Sequence, residues 1–81
     1  MSIKNECRTP VEIYRDGKKI LNTKALVQEG KIYFADTKIN ELDIIKVILT
    51  KEEFEVISRP HKEIHPRTKQ ILYIKAEVKR S

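Results

Sequence analysis

Between Gln70 and Arg80 the side chains alternate. Leu72, Ile74, Ala76 and Val78 fall on one side, and Tyr73, Lys75, Glu77 and Lys79 fall on the other. A period of two marks a strand with one buried and one wet face and argues against an amphipathic helix. The apolar face of such a strand must meet another layer of structure, so the rest of the chain has to supply further strands. With 81 residues there is material for one core, and a single domain over 1–81 is expected. A chain of this size buries only about 60% of the surface it exposes when unfolded, which leaves it marginal unless something staples or partners it.

The earlier segments supply those strands. Val11-Glu12-Ile13-Tyr14-Arg15 is β-branched and aromatic, and Asp16-Gly17 follows it. That dipeptide provides the positive φ angles of a two-residue hairpin. Arg15 then pairs with Lys18 and Ile13 falls opposite Ile20, with a bulge or break expected between Leu21 and Lys24, where the apolar parity changes. Glu29-Gly30 makes the next turn, Lys31–Ala35 reads as a third strand, and Thr37–Asp43 reads as a polar loop. Ile44–Leu49 is almost continuously apolar, which suits a central strand covered on both faces. Thr50-Lys51-Glu52-Glu53 fits a helical capping box, with Leu49 and Phe54 as its staple. Against that, Phe54, Val56 and Ser58 alternate with Glu53 and Glu55, and Pro60 would stop a helix within about two turns. The expectation is a tight turn and a fifth strand, with a short helix as the alternative. Arg59–Lys69 reads as a loop before the last strand. The fold class expected is all-β: a small barrel or two-sheet sandwich of about six strands.

Chemistry-bearing groups are sparse. Cys7 is the single cysteine, so no internal disulfide can form, and no Cys/His zinc spacing exists. The expectation is a reducing cytoplasm. The polar start, Met1 to Glu6, resembles no signal segment, and no apolar run approaches a membrane span. Only two isolated glycines are present, which excludes a Gly-rich phosphate loop. His61 and His65 stand four apart, but Pro60 and Pro66 flank them and oppose the helix that would aim both at one metal ion. Cys7 has no nucleophile motif around it, and Glu52 and Glu53 lie in a turn, where solvation is their ordinary role. No enzyme activity, cofactor, metal, small-molecule substrate or membrane partner is expected.

Charge is polarised along the chain. Residues 1–58 carry ten Lys/Arg and ten Asp/Glu, whereas residues 59–81 carry seven Lys/Arg against Glu63 and Glu77, so the whole +5 excess lies at the end. Residues 29–55 lean acidic, with seven acids against four lysines. The segment 59–69 places Arg59, Lys62, Arg67 and Lys69 together, and His61 and His65 add donors. These six residues are the candidate partner-binding set, and the flanking prolines limit the order that must be gained on contact. Two classes of partner fit. One is protein, including further copies of this chain, meeting the basic loop and final strand with an acidic or β-edge surface. The other is nucleic acid, with cations on phosphates and Tyr33, Phe34 or Tyr73 stacking on bases. Aromatic residues make up only 6% of the chain, without the basic-aromatic interleaving of a stacking platform. The protein class is therefore preferred.

The second half carries a family resemblance. Ile39-Asn40-Glu41-Leu42-Asp43-Ile44-Ile45, a turn, Phe54-Glu55-Val56-Ile57, a His-bearing loop and a final strand ending Ala76-Glu77-Val78 resemble the closing part of tailed-phage head–tail connector proteins. The resemblance covers residues 39–80 and rests on the order of elements and on alternation. In that family a glycine commonly precedes the Asp, where this chain has Leu42. The resemblance implies a β-barrel or sandwich that forms a ring between portal and tail, non-enzymatic, located in the host cell and then in the virion. It also implies that 59–69 is an inter-subunit or portal-contacting arm.

Overall fold

The computed structural model describes residues 3–81; Met1 and Ser2, the first two residues of the polar start, lie outside the described residues. One helical turn, α1 (Ile3–Glu6), leads into β1 (Thr9–Arg15) and β2 (Lys18–Gln28). Asp16 and Gly17 take φ of 54° and 79°, the paired left-handed conformation of a two-residue hairpin turn. Arg15 pairs with Lys18 as expected. The parity change comes earlier than expected, because Tyr14 pairs with Lys19 and Ile13 with Leu21, which leaves Ile20 as the extra residue. This bulge turns Leu21 and Ala25 toward the core and Ile20 outward. A single inserted residue reverses every later side chain.

Gly30, with φ 75°, turns the chain into β3 (Lys31–Phe34), where Ile32 and Phe34 are fully buried. Residues 35–43 then carry the chain to the far side of β1, and Ile39 sits in the core on the way. β4 (Ile44–Val47) pairs with β1 and β5 (Glu53–Val56) pairs with β4. β4 is shorter than its apolar sequence suggests. Only Ile45 and Val47 face inward, while Ile48 and Leu49 lie in the turn and Leu49 is 79% exposed. The stop is physical: the Lys51 N–H donates to Val47 O at 2.8 Å and the Val47 N–H to Glu52 O at 2.8 Å, with Lys51 at φ 62°. A strand in a closed barrel has one inner face, so the double cover expected for 44–49 does not occur. Residues 53–56 form the expected strand and not the helix.

β7 (Ile71–Arg80) closes the structure, pairing with β3 through Ile74–Glu77 and with β5 through Val78–Arg80. The result is a six-stranded antiparallel barrel in the order β1-β2-β3-β7-β5-β4. Ile74, Ala76 and Val78 enter the core as the alternation predicts. Leu72 does not. Ile64 pairs with Ile71 and Glu63 with Tyr73, so Leu72 bulges outward at 40% exposure and Ile71 packs against the core in its place. The segment read as a loop is partly a seventh strand, β6 (His61–Ile64), antiparallel to the first half of β7. Its four residues lie between prolines and carry charge, which hid them from a reading based on apolar alternation. No helix among the described residues is long and apolar enough to cross a membrane.

Among the described residues, one charged side chain is buried with the core. The Asp43 carboxylate is 1% exposed and accepts from Arg15 Nε at 2.9 Å, Arg15 Nη2 at 2.8 Å and the Asn40 N–H at 2.9 Å. The hydrogen bonds to Asp43 raise the Arg15 guanidinium pKa above its ordinary value. They tie the end of β1 to the start of β4. The preceding residue, Leu42, adopts φ 74° so that its N–H can donate to Val56 O at 2.9 Å. A side chain in this left-handed region costs about 1–2 kcal/mol. Leu42 is 68% exposed, so its truncation removes little packing. Leu42→Gly is therefore expected to stabilise the fold by about 0.5–1 kcal/mol, read as a higher urea midpoint with an unchanged slope.

Candidate functional site

The pairing pattern makes β6–β7 an arm. β3 contacts β7 only from Ile74 onward, and β5 only from Val78. Ile71 to Tyr73 therefore have β6 as their sole ladder partner, and β6 forms the outer edge of the sheet. The molecule measures 38 × 22 × 22 Å, elongated as a small barrel with a protruding hairpin should be. The tip is tightly built. The His65 N–H donates to Gln70 O at 2.8 Å and the Lys69 N–H to His65 O at 3.0 Å, with Lys69 at φ 62°. His65 Nδ1 accepts from the backbone N–H groups of Arg67 at 3.1 Å and Thr68 at 3.3 Å. That nitrogen is an acceptor, so the ring proton lies on Nε2. His65 is thus a turn-forming residue as well as a member of the candidate set.

The six candidate residues occupy three places. Arg67 and Lys69 are exposed at the tip. Arg59 and Lys62 line a groove of about 630 Å³ beneath the arm, together with Lys38, Asp36 and Glu41, over a floor of Ile39, Ile71 and Ile74. His61 stands on the opposite face of the arm, across from Lys75, and its Nε2 lies 2.8 Å from Glu63 Oε2. Among the described residues, no ion pair engages Arg59, Lys62, Arg67 or Lys69. The tip therefore presents two cations without an ion pair among the described residues, while Arg59 and Lys62 share their groove with Asp36 and Glu41. Sequence reasoning missed its apolar component. Ile64, at 44% exposure, and Leu72 flank the cations near the tip. The signal was faint, because Ile64 is one apolar residue in a charged stretch and Leu72 reads as core until the bulge is known.

The groups proposed for base stacking are arranged otherwise than the sequence suggested. Phe34 is fully buried in the barrel and meets no ligand. Tyr33 and Tyr73 are half-buried on the outer face and pack edge-to-face, with centroids 5.6 Å apart at 70°. In this arrangement the edge of one ring covers one face of the other. Among the described residues, no group of three or more His, Cys, Asp and Glu is placed to hold a metal ion. The Cys7 thiol donates to Tyr33 O at 3.5 Å. Burial pushes its pKa up, an effect opposed in part by a hydrogen bond with the Leu26 backbone and aided by the Glu6 carboxylate. It is held as a thiol at neutral pH, whereas nucleophilic chemistry needs the thiolate.

No known protein family, curated protein or solved structure matches this chain.

Proposed function

We propose that this protein is a non-enzymatic assembly component that joins macromolecular neighbours through its β6–β7 arm, and specifically a head–tail connector of a tailed phage or prophage. The observation that carries the reading is the arm itself. A hairpin held out from a closed barrel, with Arg59, Lys62, Arg67 and Lys69 in no ion pair among the described residues and Ile64 and Leu72 exposed, leaves apolar surface in water and buries little within the monomer. Order imposed before contact reduces the entropy lost on binding.

The resemblance over residues 39–80 supports the specific role. A polar turn ending in Asp43, the β4–β5 hairpin and a long His-bearing excursion into the last strand follow the connector order. Leu42, where that family commonly has glycine, holds φ 74°, a conformation natural to glycine. The segregation of acidic middle and basic end suits a heterologous contact, in which two different surfaces meet and repetition closes a ring.

Size-exclusion chromatography with light scattering tests the reading. The unmodified chain is expected to form oligomers, and the double charge reversal Arg67→Glu/Lys69→Glu is expected to reduce them to monomers without lowering the melting temperature. A chain that stays monomeric throughout, yet binds single-stranded DNA or RNA with an affinity that falls steeply with salt, would overturn this reading in favour of a nucleic-acid-binding barrel.

A further inference from the structure

We infer that His65 makes the arm tip a pH-sensitive latch: the turn over 66–69 is closed while the imidazole is neutral and opens when Nδ1 takes up a proton. The latch is a property of the chain alone and holds whatever the arm contacts. Every backbone N–H of the turn ends on this one residue. Pro66 has no N–H to place. The Arg67 and Thr68 N–H groups donate to His65 Nδ1 at 3.1 and 3.3 Å, and the Lys69 N–H donates to His65 O at 3.0 Å. The His65 N–H itself donates to Gln70 O at 2.8 Å, which fastens the residue to the returning chain. Pro66 favours extended backbone at the residue before it, so the His65 ring can reach forward over the turn.

The closed turn needs a lone pair on Nδ1, which the neutral ring supplies because its proton lies on Nε2. A proton on Nδ1 removes that lone pair and aims an N–H at two N–H donors. Both bonds are then lost, and a positive charge lies against converging backbone N–H dipoles. The tip itself holds no acid to offset it. From Arg59 to Lys75 the sole carboxylate side chain is Glu63, and His61 Nε2 lies 2.8 Å from it. Asp36 and Glu41 lie in the groove beside Arg59 and Lys62, which no tip residue lines. The other charged groups of the arm, Arg67, Lys69 and Lys75, are cations, and Tyr73 stands across from Glu63.

The second histidine behaves differently. A proton on His61 leaves its contact with Glu63 in place as an ion pair. The opening at His65 is local, because Arg67, Thr68 and Lys69 are exposed and their N–H groups exchange the imidazole for water. Arg67 and Lys69 then stand on a loose loop. A partner that meets both must order them first, so contact weakens in acid; that consequence, unlike the opening itself, rests on the assembly reading above.

Amide exchange of the full chain, read residue by residue by NMR as protection relative to an unstructured peptide at the same pH, tests the latch. The Arg67, Thr68 and Lys69 amides are expected to lose at least about tenfold in protection between about pH 8 and about pH 5, the range in which an imidazole changes charge. Ile13 and Ala76 in the barrel wall should hold theirs. His65→Asn supplies a carbonyl oxygen at the same place that takes up no proton in this range, and its tip should stay protected at both ends. His61→Gln should keep the pH dependence of the parent. Long-range proton–nitrogen spectra of the His65 ring should show the Nε2–H tautomer at the upper pH. Equal tip protection at the two ends, an Nδ1–H tautomer, or a His65→Asn tip that opens in acid as the parent does would each overturn the latch. A loss shared by the barrel amides would overturn it too, since the opening would then be global. An unmodified chain that never associates, with its tip amides still responding to pH, removes the assembly reading and leaves the latch standing.

Discussion

Phe34→Ala is expected to destabilise the barrel by about 3–5 kcal/mol. Phe34 is fully buried and is the largest such side chain. It stands on β3 between Ala25 of β2 and Ile74 of β7, so its ring fills the interior where the last strand closes the barrel. The Ala25 methyl is too small to fill the space that truncation opens on that side. A domain of this length holds roughly 4–12 kcal/mol in total, so the variant should be largely unfolded at 37 °C. Phe34→Leu keeps most of the volume and should cost about 1–2 kcal/mol. Urea titration followed by far-ultraviolet circular dichroism separates the two. If Phe34→Ala instead unfolds at the same urea concentration as the parent, the ring does not fill the core.

Asp43→Ala is expected to cost about 2–4 kcal/mol, because it removes the sole acceptor of two guanidinium bonds and of the Asn40 N–H. Arg15 is 34% exposed through its side chain and can regain water, which limits the penalty for the cation left behind. The larger loss is architectural. Arg15 ends β1, and Asp43 ends the turn that leads into β4 while its own carbonyl accepts the Val56 N–H at 2.9 Å. One carboxylate thus connects the first hairpin to the β4–β5 hairpin. For a domain of this size each kcal/mol shifts the melting temperature by about 4–8 °C, so a fall of 10 °C or more is expected on the order of that slope. Asp43→Asn, which keeps shape and one acceptor, should fall about halfway. An unchanged melting temperature in Asp43→Ala would contradict the account of this junction.

Much of the fold was legible in the sequence, for identifiable reasons. Asp16-Gly17 announced its hairpin because few other dipeptides tolerate two positive φ angles in succession, and both appear. Ile74, Ala76 and Val78 announced the closing strand because a period of two survives unless a residue is inserted. Both departures in register come from such insertions, at Ile20 and at Leu72. A bulge is a tertiary choice, made so that Leu21 and Ile71 can pack inward, and nothing in the local residues fixes its place. β6 was missed because it forms no part of the barrel wall and needs no apolar face of its own. The six cationic and imidazole candidates were legible as a stretch but not as a shape. Sequence order placed them in one loop, whereas the hairpin divides them between tip, groove face and outer face. Asp43 looked like one more acid in an acidic middle, because its partner Arg15 lies 28 residues away.

The account depends most on the arm being an ordered hairpin before any partner arrives. Backbone amide hydrogen exchange of the isolated chain measures this directly. The His65 and Lys69 N–H groups, bonded at the tip at 2.8 and 3.0 Å, and the amides of β6 that bond to β7 are expected to exchange well below the unprotected rate, if faster than those of Ile13 and Ala76 in the barrel wall. Exchange of residues 61–69 at the rate of an unstructured peptide, while the barrel stays protected, would contradict it.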